Sequence, residues 1–244
     1  MKEFDVIGLG MNCVDCLLRV SSNANLTQEP ELLDWSIQGG GKVASAMVAV
    51  ARLDAKTAII TKVGDDEAGR FVISDFQKYG VDTGHILVDE GAWTLTTFIL
   101  VDEKTGTPRW VRSDVIREWN LPEPIRRGVE WADISEEERA MNPLGGPFRP
   151  YLTEELGFVT EGKVLNLDSI LPDGVLEAAE IARANGIPTC LDMYRFPDMA
   201  ELLQKISWCI PSRKSAEEFT KETDPRAMCR SILKYGPEKE GMVY

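Results

Sequence analysis

Three aspartates sit in or at the end of apolar runs, where a carboxylate is costly to bury unless something binds it. Asp15 interrupts Val14-Asp15-Cys16-Leu17-Leu18, Asp168 ends Val164-Leu165-Asn166-Leu167, and Asp192 ends Thr189-Cys190-Leu191. A carboxylate leaving water needs hydrogen-bond donors, and a polyol supplies them. For Asp15 a local ion pair or a turn cap remains open as an alternative. In open α/β sheets ligands bind beyond the carboxyl ends of the strands. If the three strands are parallel neighbours, three carboxylates therefore meet at one rim. Near them in sequence lies Gly39-Gly40-Gly41-Lys42, whose glycines allow close approach of another group. A helix over Val43–Leu53 follows, rich in Ala44, Ser45, Ala46, Ala49 and Ala51, and is expected to lie close against a sheet. Its amino terminus favours phosphate or hydroxyl oxygens.

Other chemistries find less support. Cys13-Val14-Asp15-Cys16 has metal or redox spacing, but zinc needs two more ligands, and redox pairs open helices rather than strands. Buried small side chains account better for these cysteines. The single histidine, His85, has no placed Ser or Cys partner for a triad. Gly8-Leu9-Gly10 begins like a dinucleotide fingerprint, but Cys13 stands at the third glycine, and no Walker loop occurs. The net charge of −13 argues against nucleic-acid and anionic-membrane partners. Five cysteines and the charged start MKEFD fit a reduced, cytoplasmic protein. No apolar run reaches the roughly 18 residues of a membrane span.

The elements that must position these residues alternate. Strands are predicted at Phe4–Gly10, Asp15–Val20, Leu32–Gln38 and Thr94–Asp102, the last three as a small sheet standing off the body. Between them the pattern gives the helix Val43–Leu53, strand Thr57–Lys62, helix Asp66–Tyr79 and strand His85–Val88. A second block runs strand Val164–Leu167, helix Gly174–Asn185, strand Thr189–Asp192, helix Asp198–Ile206, strand Trp208–Ile210 and helix Lys214–Lys221. Helix Pro225–Tyr235 follows Asp224 as N-cap, and Gly241–Tyr244 starts another strand. Residues 114–163 break the alternation, with short helices expected near Glu136–Met141 and Thr153–Leu156. With 244 residues the chain fits one large α/β domain with a small appendage and buries roughly 70% of its unfolded surface.

Together these residues resemble the ribokinase-like (PfkB) sugar kinases, most specifically from Gly39 to Gly69, which follows that family's first signature. The resemblance implies a three-layer α/β/α body with a mostly parallel sheet and a small β-sheet lid. It makes residues 1–244 one domain, with lid strands from about 15–38 and 92–112. It also implies phosphoryl transfer from ATP, with Mg²⁺, to a sugar or sugar-acid hydroxyl. Asp15, Gly40, Gly41, Lys42, Ser45 and Asp168 would contact the substrate, Ser45 standing where most members have Asn. Thr96, Thr97 and Arg109 would close over it.

The departures carry their own expectations. The signature glycine after Arg52-Leu53 is Asp54, tolerable if that turn suits Asp. The Asn-x-x-Glu motif, which places magnesium and phosphates in the family, falls on Ser212 and Ser215. Ser212 is then the cofactor-binding residue, no metal ligand is identified, and Glu217 or Glu218 would be a substitute carboxylate. The family's second signature, with the catalytic base and a Gly-Ala-Gly-Asp segment, does not occur before Tyr244, so no catalytic residue is assigned. From this the chain is expected to be an incomplete kinase with negligible activity, or else a non-catalytic sugar-binding or regulatory protein. An unfinished sheet is expected to self-associate, through the lid or an exposed edge. The third and weakest reading is a redox protein using Cys13 and Cys16.

Overall fold

The computed structural model describes residues 2–21, 31–89, 94–110, 153–169, 172–194, 196, 198–236 and 242–243. The helix expected near Glu136–Met141 lies outside them. Residues 1–110 form β1 (Phe4–Leu9), β2 (Cys13–Val20), β3 (Leu32–Gly40), α1 (Lys42–Ala51), β4 (Thr57–Gly64), α2 (Glu67–Lys78), β5 (Val81–Asp82), β6 (Ile86–Asp89), β7 (Thr96–Asp102) and β8 (Pro108–Trp110). The later part contributes α3 (Thr153–Gly157), β9 (Gly162–Asp168), α4 (Pro172–Ala184), β10 (Thr189–Met193) and α5 (Met199–Leu203). It ends with β11 (Trp208–Pro211), α6 (Arg213–Thr220), α7 (Pro225–Leu233) and β12 (Met242–Val243).

The body sheet runs β12-β11-β10-β9-β1-β4-β5, with β6 beside the carboxyl half of β4, and every pairing is parallel. Alternation along its strands feeds two cores. Ile7, Leu9, Ala58, Ile60, Leu165, Leu167 and Leu191 point into one, with Ala178, Ala182 and Leu202 from α4 and α5. Ile59 points into the other, with Val43 and Met47 of α1 and Val72 and Phe76 of α2.

The close approach of α1 comes from both sides, from Ala44, Ala46 and Ala51 on the helix and from Gly8 on the sheet. Ser45 and Ala49 are exposed, and α1 buries Val43, Ala44 and Met47. An ideal Cβ on Gly8 would stand 2.6 Å from both Met47 Cγ and Val43 Cγ1. Gly8→Ala is therefore expected to lower stability by about 1–3 kcal/mol, read in a thermal melt at about 2–4 °C per kcal/mol. After α1, Asp54 has φ 63. Asp tolerates this left-handed conformation, which explains why it can replace a signature glycine there.

The second sheet, β3-β2-β7-β8, stands apart from the body sheet. β2 pairs antiparallel with β3 and parallel with β7. Register puts Asp15, Gln38 and Thr97 on one face. Thr96 pairs with Val14, and Arg109 with Leu100, which pairs with Leu18, so both lie on the opposite face. Of the three lid residues named from sequence, only Thr97 shares the face of Asp15. The glycine run is not a free loop. Gly39 and Gly40 are the last residues of β3, because β2 continues to pair with them through Val14 and Cys13.

Candidate active site

The order of the body sheet reverses at β1, which has β4 on one side and β9 on the other. Such switch points open a crevice beyond the strand ends. There Asp168, the last residue of β9, is 0% exposed. Its Oδ2 accepts a hydrogen bond from the Met11 N–H at 2.9 Å. An ideal Cβ on Gly10 would be 2.5 Å from the same oxygen, so glycine is required for the chain to pass over this carboxylate.

The crossing from the body to the small sheet is held by Asn12, a residue sequence reasoning passed over. Asn12 is buried, and its Nδ2 donates to Thr61 Oγ1 at 2.6 Å and to the Lys62 carbonyl at 2.8 Å. The Thr61 hydroxyl in turn donates to the Gly10 carbonyl at 2.7 Å. The available signal was one amide-bearing residue between two glycines and an apolar strand.

Asp15 stands on the small sheet and not on a parallel neighbour of β9, which corrects the expectation of three adjacent strand ends. Only Asp168 and Asp192 are register partners, on β9 and β10. Asp15 is half-buried, and its Oδ1 accepts from the Cys13 thiol at 3.3 Å. Burial, then the Asp15 charge, pushes that thiol up to about 12. Cys13 and Cys16 lie three apart on one strand and face opposite sides of the sheet, against a redox pair. The Asp15 carboxylate fills the space a Gly40 side chain would need, with Cγ 2.5 Å from an ideal Cβ there. Gly41, at φ 99 and ψ 149, lies against the Met11 carbonyl and 2.7 Å, from an ideal Cβ, to Asn12 Cα.

Lys42 follows as the first residue of α1, and its Nζ meets Asp192 Oδ1 at 2.5 Å, 5.6 Å from the centre of the Tyr194 ring. The contacts thus close a circuit: Asp15 against Gly40, Gly41 against Met11, Met11 on Asp168, Asp168 beside Asp192, and Asp192 on Lys42. Ser45 lies one turn further along α1, with its N–H on the Gly41 carbonyl at 2.9 Å and its side chain exposed.

Ser212 stands at the carboxyl end of β11. Its Oγ accepts the Ser215 N–H at 3.1 Å as N-cap of α6 and lies 2.8 Å from the Ser215 hydroxyl. Ser215 is buried and borders a cleft of about 470 Å³ shared with Tyr194, Phe196, Glu218 and Lys221. Glu217 is engaged by Arg213 at 2.7 Å. Among the described residues no three His, Cys, Asp or Glu side chains cluster to hold a metal ion, and the Ser212–Ser215 pair offers hydroxyls but no carboxylate of its own.

His85 is occupied elsewhere, 2.6 Å from Glu155 and stacked on Phe158 at 3.5 Å. A second residue whose role was missed from sequence, Asp66, fixes the root of β7. It caps α2 through the Gly69 N–H at 2.7 Å and accepts from the Thr94 N–H at 2.8 Å and the Thr94 hydroxyl at 2.7 Å. Burial pushes the Asp66 carboxyl up, but the Thr94 hydroxyl and amide, the Gly69 amide and Arg70 together hold it below its ordinary value. A depressed folded-state pKa contributes stability that is present above the unfolded-state value and lost as pH falls through the folded one. Asp66→Asn is expected to melt lower than the parent at pH 7, with the gap closing below about pH 4. Melts at pH 7 and pH 3 check this, and an equal gap at both would show that the charge is not what holds Thr94.

Comparison with known proteins bears on the fold. Residues 1–111 match the pfkB family carbohydrate kinase model. The chain is similar to the 5-dehydro-2-deoxygluconokinases of Geobacillus kaustophilus, 34% identical over 108 residues, and of Bacillus velezensis, 34% over 132. These matches cover 43% and 52% of this chain but only 30% and 38% of those proteins, so the chain matches about a third of its relatives' length. Arabidopsis thaliana ribokinase, solved with ribose and ATP, superposes with a TM-score of 0.71 at 16% identity, over 98% of this chain and 71% of that one.

Proposed function

We propose, for a chain of ribokinase-like fold whose residues 1–111 belong to the pfkB carbohydrate kinase family, that the rim at the β1 switch point binds the sugar of an ATP-dependent carbohydrate kinase. The observation that carries this reading is the buried Asp168 carboxylate, set on the Met11 amide at the switch point, with Gly41 packed on Met11 and Asp15 of the small sheet packed on Gly40. Asp15 and Asp168 accept hydrogen bonds from sugar hydroxyls. Gly40 and Gly41 let the ring approach backbone, and Lys42 and Ser45 offer donors at the start of α1. The small sheet closes over the sugar on the face carrying Asp15 and Thr97 and excludes water. Binding energy spent on orientation is what phosphoryl transfer requires, since it rests on positioning and charge stabilisation. ATP supplies the phosphoryl group, and Ser212 is the residue we assign to the nucleotide side.

The names of the relatives favour a deoxy sugar acid over ribose or fructose as the first substrate to test. Sugar-dependent ATP turnover, measured with 5-dehydro-2-deoxygluconate, ribose and fructose, tests the reading. Turnover with one of them would overturn the negligible activity expected from the sequence and establish catalysis, whereas saturable sugar binding without turnover would favour a second reading, a sugar-binding protein without catalysis. That alternative is supported by Ser215, a buried hydroxyl where the family carries a carboxylate. A cytoplasmic setting suits five free cysteines, two of them, Cys13 and Cys209, pushed up to about 12 by burial. No described helix is long and apolar enough to cross a membrane. The small sheet's outer face exposes Trp35, Ile37 and Phe98, and we assign it to contact with a second copy, checked by sedimentation.

A further inference from the structure

We propose that Asp192 is a positioning residue that holds the Lys42 ammonium at the rim as a latch, and that an incoming anionic oxygen group opens it. This rests on the kinase reading of the rim. Lys42 is the first residue of α1, a place where a cation opposes the helix dipole. The helix has neither a side-chain cap nor an acidic residue in its first turn to offset that charge. The offsetting carboxylate comes instead from Asp192, 150 residues away, at 2.5 Å. A half-exposed pair of this kind, with side chains 29% and 43% exposed, adds little stability. What it does is restrain a flexible four-carbon stem, so that the ammonium is held at the carboxyl end of β10.

The two neighbouring carboxylates differ in a way that suits this division. Asp168 is fully buried and fixed by the Met11 amide, whereas Asp192 is exposed enough to swing away and surrender its partner. An anion arriving at the start of α1 competes with Asp192 for Lys42 and also meets the favourable helix terminus. Two sources fit this chemistry, a phosphate of ATP or the carboxylate of a sugar acid.

Calorimetric titration separates them, with sodium tripolyphosphate as one probe and gluconate as the other, using the full chain and its Asp192→Asn, Lys42→Met and doubly substituted variants. Asp192→Asn is expected to bind one probe about fivefold tighter than the parent, because the competitor for Lys42 is gone. Lys42→Met is expected to lose that binding, and adding Asp192→Asn to it should change nothing further. A response to tripolyphosphate identifies phosphate as the opening group, and a response to gluconate identifies a carboxylate. Unchanged affinity in Asp192→Asn, an equal gain without Lys42, or no binding of either probe by any variant would overturn the latch. A general effect on the fold would instead appear as a lowered melting temperature. Failure of the sugar-rim reading is a separate result, the absence of saturable sugar binding by the parent.

Discussion

Gly41→Ala is expected to cost about 2–5 kcal/mol, a large share of the 5–15 kcal/mol that holds a domain together, and to remove sugar binding with it. Two effects add. Gly41 has φ 99 and ψ 149, close to the region essentially reserved for glycine, where another residue costs about 1–3 kcal/mol. An added Cβ would also overlap the Met11 carbonyl oxygen and crowd Asn12 Cα, and both are backbone atoms that cannot turn aside. Relief requires moving the Met11–Asn12 crossing, which carries the hydrogen bonds to Asp168, Thr61 and Lys62. Gly186→Ala is the control, since Gly186 has φ 65 but no atom within 4 Å of an added Cβ. Left-handed strain alone costs about 1–2 kcal/mol there. Urea midpoints of the two variants compare the effects directly. Equal losses would show that the contact with Met11 carries no weight.

Asp168→Asn is expected to weaken sugar binding by about 100-fold, the loss of a charge-assisted hydrogen bond of about 3 kcal/mol. The side chain keeps its shape and can still accept the Met11 N–H through its amide oxygen, at the cost of turning its NH₂ toward the crevice. Where the carboxylate offered acceptors to sugar hydroxyls, the variant then presents a donor. Melting temperature separates this from misfolding. Asp15→Asn provides a second arm, because Asp15 is only half-buried and its loss spares the core. Normal affinity in a folded Asp168→Asn protein would remove Asp168 from the site.

The parts of this site that were legible in the sequence are those set by local pattern. Asp168 and Asp192 end apolar runs, so strand ends and carboxylates could be read together, and parallel alternation put both at one rim. Asp15 was read as a buried carboxylate with a purpose, but its sheet was not legible. β2 pairs with β7, about eighty residues away, and no periodicity within β2 announces that partner. The same distance hid the Lys42–Asp192 pair.

The glycine run was read as a place where another group approaches the backbone. Only Gly41 of the three has a positive φ, and Gly39 and Gly40 are strand residues that leave room for Asp75 and Asp15. The alanines of α1 suggested a closely packed helix, and Ala44, Ala46 and Ala51 do pack on the core, but the tightest approach, of Val43 and Met47, depends on Gly8 of the facing strand. Sequence patterns report what each element can do, whereas close approach depends on which residue the partner presents.

Calorimetric titration of ribose, fructose and 5-dehydro-2-deoxygluconate against the parent protein, Asp15→Asn and Asp168→Asn tests the assignment of the rim most directly. One of the three sugars is expected to bind saturably to the parent and to lose about 100-fold in affinity when Asp168 is changed, with a loss also at Asp15. Binding that both folded variants retain, or no binding of any of the three sugars by the parent, would contradict it.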